Sequence, residues 1–121
     1  MSLPILVCDD SAMARKQVVR SLPEGWPVEI HFATNGREAM EKLRAQRYAL
    51  LFLDLTMPEM DGPSVLEALH REELEVFVIV ISADIQPEMK RRVMELGAMD
   101  FIHKPVNGDK LKEILHKFGF L

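Results

Sequence analysis

The chain has 121 residues, 48% of them hydrophobic, and a formal net charge of −4, which fits one globular domain with a sizeable core. The excess of acidic residues disfavours direct nucleic-acid binding, and every apolar run is too short to span a bilayer. We therefore expect this domain to bind neither nucleic acid nor a membrane. No signal peptide is recognisable and the single cysteine, Cys8, cannot form an internal disulfide, so we expect a reducing, cytoplasmic location.

Short apolar runs alternate with helical periodicities along the whole chain. The apolar runs predict five strands, at about 5–8, 28–33, 50–53, 76–81 and 99–103. The segments between and after them carry apolar residues at helical spacing, and they predict five helices. Signals for the helix starts are Ser11, Asn35-Gly36, Pro63, Pro87 and Asn107. Such alternation is typical of a parallel sheet with right-handed crossovers, that is, an α/β fold.

The common five-strand solution is a flavodoxin-like, doubly wound (βα)5 fold with strand order 2-1-3-4-5, formed as a single domain over residues 1–121. In this order the first and third strands are neighbours, and the fourth and fifth continue on the far side of the third. The second strand alternates apolar with polar residues, as expected at a sheet edge.

Carboxylates follow two of the predicted buried strands. Asp9 and Asp10 end the first strand and Asp54 ends the third, so the three side chains should converge at the rim where α/β sheets bind ligands. Like charges held close together cost stability unless a cation neutralises them. The arrangement therefore predicts a metal site, and Ser82 and Lys104 should end on the same rim.

Four motifs, taken together and in this order, resemble the receiver domains of two-component response regulators, most closely the CheY-like type. The resemblance extends over essentially the whole chain. The motifs are Asp9-Asp10, Asp54 followed by Met57-Pro58-Glu59-Met60-Asp61-Gly62, Ser82-Ala83, and Lys104-Pro105.

The resemblance implies that Asp54 accepts a phosphoryl group from a sensor histidine kinase, with Mg²⁺ as cofactor. It implies that Asp10 and Asp54 bind the ion directly, Asp9 through water, and Thr56 through its backbone carbonyl. Lys104 and Ser82 would then contact the phosphoryl oxygens, and the Lys104–Pro105 peptide bond would be cis.

Switching is also implied by the resemblance, with Ser82 drawn inward and Phe101 rotating into the space that Ser82 leaves. Phe101 is equally well explained as a core aromatic residue.

The resemblance also implies that the partner-binding face is formed by the fourth helix, fifth strand and fifth helix. It would bind a downstream effector, a fused output domain or a second copy in a homodimer, and the protein would act as a self-dephosphorylating switch rather than a turnover enzyme.

Two other functions stay open on the sequence. A magnesium-dependent aspartyl-phosphate phosphohydrolase would use the same carboxylates, although Thr56 stands where haloacid-dehalogenase enzymes carry their second aspartate. A pseudo-receiver would bind partners without being phosphorylated, although none of the acidic or lysine positions is lost. The chain fits either a stand-alone regulator or the receiver portion of a longer protein.

Overall fold

The computed structural model describes residues 2–84 and 86–121, so Met1, where the predicted domain begins, and Ile85 lie outside it. Strands and helices alternate as predicted. The strands are β1 (Leu3–Cys8), β2 (Val28–Ala33), β3 (Leu50–Leu53), β4 (Phe77–Ser82) and β5 (Asp100–His103). The helices are α1 (Ala12–Ser21), α2 (Gly36–Ala45), α3 (Gly62–Arg71), α4 (Pro87–Glu95) and α5 (Gly108–Lys117).

The five strands form one parallel sheet in the order β2-β1-β3-β4-β5, which confirms the predicted flavodoxin-like topology and single domain. Cys8 of β1 lies opposite Leu53 of β3, and Leu53 lies opposite Val80 of β4. This register brings the last residues of β1 and β3 to the same edge of the sheet. The edge position predicted for β2 is also confirmed.

Helices cover both faces of the sheet because alternate strand residues point to opposite sides. Ile5, Val7 and Phe52 pack with the apolar residues of α1 and α5. Leu6 and Leu51 pack on the other face with α2, α3 and α4. Within the described ranges, no helix combines the length and apolar character needed to cross a membrane.

Capping residues set the helix starts close to the predicted positions. Ser11 accepts a hydrogen bond from the amide of Ala14, Asn35 from Glu38 and Asn107 from Asp109, and each satisfies a free amide of its helix's first turn. Pro63 and Pro87 occupy the first turns of α3 and α4, as predicted.

Strand ends differ from the sequence-based ranges by only one or two residues. The first strand starts at Leu3 rather than Ile5, because the Leu3 amide donates to Pro27 and the Pro4 carbonyl accepts from Ala49. Pro4 is tolerated because it lies near the start of the strand.

Candidate functional site

Three aspartates meet where β1 and β3 end. The amide of Asp54 donates to the carbonyl of Cys8 at 3.0 Å, so strand pairing continues up to this rim. One carboxylate oxygen each from Asp9, Asp10 and Asp54 lies within 4.8 Å of the others. Asp9 and Asp54 are buried, with 4% and 6% of their surface exposed, whereas Asp10 is exposed. The cluster is therefore an acidic pocket with one side open to solvent.

Lys104 reaches this pocket from the end of β5. Its Nζ lies 2.8 Å from Oδ2 of Asp9 and 3.3 Å from Oδ1 of Asp54. The Lys104 amide donates to the Ser82 carbonyl at 2.8 Å, and the Lys104–Pro105 bond is cis, as the family resemblance implies. One ammonium group is thus shared between the two buried carboxylates.

The electrostatics of the pocket follow from burial and from this sharing. Burial raises the pKa of Asp54, the charge of Asp9 raises it further, and Lys104 offsets part of the increase. For Lys104, burial acts to lower the pKa, but the hydrogen bond to Asp9 and the charges of Asp54 and Asp9 outweigh it, so the pKa is raised. Lys104 therefore stays charged at neutral pH.

The loop after β3 is held tightly against the strand end. The Gly62 amide donates to the Leu55 carbonyl at 3.0 Å, and a Cβ at Gly62 would lie only 2.6 Å from the carbonyl oxygen of Asp54. Only glycine allows α3 to start this close to the strand. Asp61, just before it, accepts from the Ser64 amide at 2.9 Å and caps α3. The predicted turn and helix start are confirmed here.

Ser82 lies on the same rim, at the last position of β4. It is buried, and its Oγ accepts a hydrogen bond from the Asp84 amide at 3.0 Å. Phe101 lies two positions further back in the β4–β5 register, opposite Val80. It is half-buried and packs against the core under α2, α3 and α4, so it does not line the acidic pocket. Thr56 lies exposed in the loop after β3.

Two features of the site were not predicted from the sequence. Arg15 of α1 donates from Nη1 to the backbone carbonyl of Asp9 at 2.7 Å and so holds the loop that carries the aspartate pair. Its position one turn into the helix after Asp9-Asp10 was the available signal. Beneath the pocket, the sulfur of Cys8 lies 3.4 Å from the Met57 sulfur and 3.5 Å from the Asn35 carbonyl oxygen, and its single proton can be donated to either acceptor. Burial and nearby carboxylates raise the pKa of this thiol to about 12, so it is a packing group rather than a nucleophile.

The residues of the pocket fit a hard divalent cation. All three side chains offer carboxylate oxygens, which Mg²⁺ prefers, and no sulfur or imidazole belongs to this cluster. Two of the carboxylates are buried and share one lysine. The pocket therefore contains more negative charge than positive charge. A cation in the pocket would relieve that imbalance.

Comparison with known proteins gives consistent results. A family model for the response regulator receiver domain matches residues 5–116. Chemotaxis protein CheY of Bacillus subtilis (strain 168) is 33% identical over 117 residues, which make up 97% of this chain and 98% of that protein. Protein-glutamate methylesterase/protein-glutamine glutaminase 3 of Geobacter sulfurreducens is 38% identical over 119 residues, covering 93% of this chain but only 32% of that longer protein.

Solved structures show the same relationship. One chain of the crystal structure of the CheX-CheY-BeF3-Mg²⁺ complex from Borrelia burgdorferi superimposes with a TM-score of 0.88 at 28% identity, covering 97% of this chain and 89% of that chain. The family match covers most of the sequence, and the strand order and acidic cluster agree with it. The chain therefore belongs to the response regulator receiver domain family, as a CheY-like receiver domain of a two-component system.

Proposed function

We propose that residues 1–121 form one receiver domain in which Asp54 accepts a phosphoryl group from the phosphohistidine of a sensor histidine kinase. The observation that carries this proposal is the position of Asp54, buried at the carboxyl end of β3 with two further carboxylates and Lys104 around it. Receiver domains in general act as phosphoacceptor switches.

In the proposed reaction a carboxylate oxygen of Asp54 attacks the phosphorus of the phosphohistidine. A phosphorus–oxygen bond forms, the phosphorus–nitrogen bond breaks, and the electron pair leaves with the imidazole of the kinase. The product is an acyl phosphate on Asp54. The protein mainly positions the reactants and neutralises charge, which is the general logic of phosphoryl transfer.

Asp10 and Asp54 would hold Mg²⁺ directly, Asp9 through water, and Thr56 through its backbone carbonyl. When bound, Mg²⁺ would supply positive charge that offsets the negative charge of the carboxylates and of the phosphoryl group. The support for this assignment is the all-oxygen cluster of the three aspartates. The Borrelia burgdorferi CheY complex, which contains Mg²⁺ and BeF3, adds to this support.

Lys104 and Ser82 would bind the phosphoryl oxygens once Asp54 is modified. Lys104 already lies 3.3 Å from Asp54, so its ammonium group can pair with an oxygen added there. Ser82 is buried at the end of β4, and its hydroxyl proton is free to point toward the pocket because its oxygen accepts from Asp84.

We further propose that movement of Ser82 is coupled to rotation of Phe101, which changes the face formed by α4, β5 and α5. Receiver domains work with histidine kinases and with output domains or separate effectors. For this chain we propose a kinase as phosphodonor and, at the α4-β5-α5 face, an effector, a fused output domain or a second copy. Phe101 is half-buried and lines a groove together with Lys90 of α4 and Lys110 of α5, which supports its assignment to this face.

The chain would dephosphorylate itself rather than turn over a substrate. Methylesterase activity is named for the longer Geobacter protein, and this chain matches only about a third of that protein's length. Thr56 stands two residues after Asp54, where a second aspartate would be expected in a haloacid-dehalogenase phosphohydrolase.

Intact-mass spectrometry tests the proposal after incubation with acetyl phosphate, once with Mg²⁺ and once with EDTA. We expect addition of one phosphoryl group only with Mg²⁺, and its loss in Asp54→Ala. Asp61→Ala is the matched control, because Asp61 is an exposed aspartate in the same loop whose role is to cap α3. Absence of any addition under both conditions would contradict the proposal and favour a pseudo-receiver.

A further inference from the structure

A groove lies between α1 and the outer edge of the sheet, next to β2. Its volume is about 430 Å³, and its lining includes Arg15, Lys16, Val19, Arg20, Phe32 and Thr34. Lys16, Arg20 and Phe32 are exposed, while Val19 and Arg15 are half-buried. The groove is thus lined by positively charged side chains around an apolar surface formed by Val19 and Phe32.

Helix α1 carries only basic charges, unlike the other four helices. Over Ala12–Ser21 the helix carries three basic residues and no aspartate or glutamate, although the whole chain has a formal charge of −4. Each of the other four helices contains at least one aspartate or glutamate, and some of their basic residues are paired, as in Arg37–Glu41, Arg44–Glu72 and Arg92–Glu67. Within residues 2–84 and 86–121, no ion pair is found for Lys16 or Arg20.

The apolar part of the groove comes from the edge strand. Phe32 is 40% exposed, which is unusual for a phenylalanine in a sheet, and Val19 of α1 lines the same groove. On the free edge of β2, the Phe32 carbonyl accepts a hydrogen bond from the ammonium group of Lys42. A lysine at this position opposes the addition of another strand, so an occupant would lie in the groove rather than extend the sheet.

We propose that this groove is a docking site for an acidic, amphipathic segment of a partner protein. Its carboxylates would pair with Lys16 and Arg20, and an apolar side chain would cover Phe32 and Val19. A nucleic acid matches the site less well, because phosphates would not cover the apolar surface and the rest of the chain is acidic. The proposal concerns a surface separate from the acidic pocket and does not depend on phosphoryl transfer.

The test is an NMR titration of ¹⁵N-labelled protein with a synthetic helical peptide of glutamate and leucine, about as long as α1. We expect shifts concentrated in the amides of residues 15–20 and 32–34. A peptide with lysine in place of glutamate should leave these amides unchanged. Because the attraction is partly between exposed charges, binding should weaken as salt is raised.

The double variant Lys16→Gln and Arg20→Gln should weaken binding about tenfold, as expected from losing two exposed ion pairs. Glutamine keeps good helix propensity, so α1 should remain folded. The matched control, Arg47→Gln with Arg71→Gln, makes the same charge change at exposed positions outside the groove and outside the α4-β5-α5 face, and it should bind like wild type. Both variants should still be phosphorylated by acetyl phosphate, which separates this surface from the proposed function.

Several results would overturn the proposal. One is the absence of shifts at these amides with the acidic peptide at millimolar concentration. Another is equal binding by the wild type and the Lys16/Arg20 variant. Tighter binding of single-stranded DNA than of the acidic peptide at the same amides would assign the groove to nucleic acid instead.

Discussion

Lys104 is shared between Asp9 and Asp54, and this sharing is central to the site at the level of single residues. Its ammonium group is closer to Asp9, at 2.8 Å, than to Asp54, at 3.3 Å. The sequence predicted that these residues meet at one rim, because each follows a strand of a parallel sheet. It could not predict which carboxylate Lys104 contacts more closely, since that depends on side-chain rotamers and local packing.

Replacing Lys104 with methionine should destabilise the metal-free protein, because two buried carboxylates would lose the cation between them. We expect a loss of about 2 kcal/mol in EDTA, less than for a fully buried pair because the Lys104 side chain is 25% exposed. Added Mg²⁺ should reduce the difference. Urea unfolding measures both values, with Lys112→Met as an exposed control, and equal stability of Lys104→Met and wild type in EDTA would contradict this prediction.

Tyr48 gives a pH-dependent prediction away from the acidic pocket. It is buried, its hydroxyl lies 2.6 Å from Nδ1 of His31, and burial together with the charge of Glu29 raises its pKa above the ordinary value of 10.0. The fold therefore favours the neutral phenol. The neutral Tyr48 phenol therefore contributes fully to the free energy of unfolding at a pH below the unfolded-state pKa. This contribution is lost as the pH rises from the unfolded-state pKa through the folded-state pKa.

Tyr48 is the only tyrosine, so the ultraviolet absorbance of the phenolate reports on it directly. We expect a titration midpoint above that of free tyrosine in the folded protein and an ordinary midpoint in urea. Tyr48→Phe should show no phenolate transition. A folded-state midpoint at or below that of free tyrosine would show that burial does not govern this group.

At the level of elements, the start of α2 packs closely against the loop that follows β3. The Gly36 amide donates to the Met60 carbonyl at 3.1 Å, and a Cβ on Gly36 would collide with that carbonyl and lie 2.8 Å from the Met60 Cβ. The sequence predicted a helix after Asn35-Gly36 from the helical spacing of Ala39, Met40 and Leu43. It gave no sign of this contact, because two loops distant in the chain meet only in the folded structure.

Gly36→Ala should therefore cost about 2 kcal/mol, a typical cost of overpacking, and should displace the loop next to Asp54. Gly108→Ala is the matched control, since Gly108 is also the first residue of a helix and its Cβ would lie 3.5 Å from the nearest atom, the Ser21 carbonyl oxygen. That change should stay within about 0.5 kcal/mol of wild type. Equal unfolding midpoints in urea for the two variants would refute the close-contact explanation.

At the level of the whole molecule, the parallel α/β architecture was predictable because alternating strands and helices with right-handed crossovers leave few topologies. Among these, the order 2-1-3-4-5 was predicted as the common five-strand solution and in part from the family resemblance. The positions of Asp9, Asp10 and Asp54 follow from that order. Contacts that depend on side-chain packing were not predictable, such as Arg15 with the Asp9 carbonyl and Cys8 with Met57. The sequence thus predicted the architecture and the composition of the pocket, but not the contacts that support it.

The central claim is that Asp54, and no other side chain, accepts the phosphoryl group. Borohydride reduction of the protein after treatment with acetyl phosphate and Mg²⁺ tests it most directly, because it converts an acyl phosphate into a stable alcohol that peptide mass spectrometry can locate. We predict that the reduced residue is Asp54. A reduced Asp9 or Asp10, or an unreduced phosphoryl group on a histidine, would contradict the account.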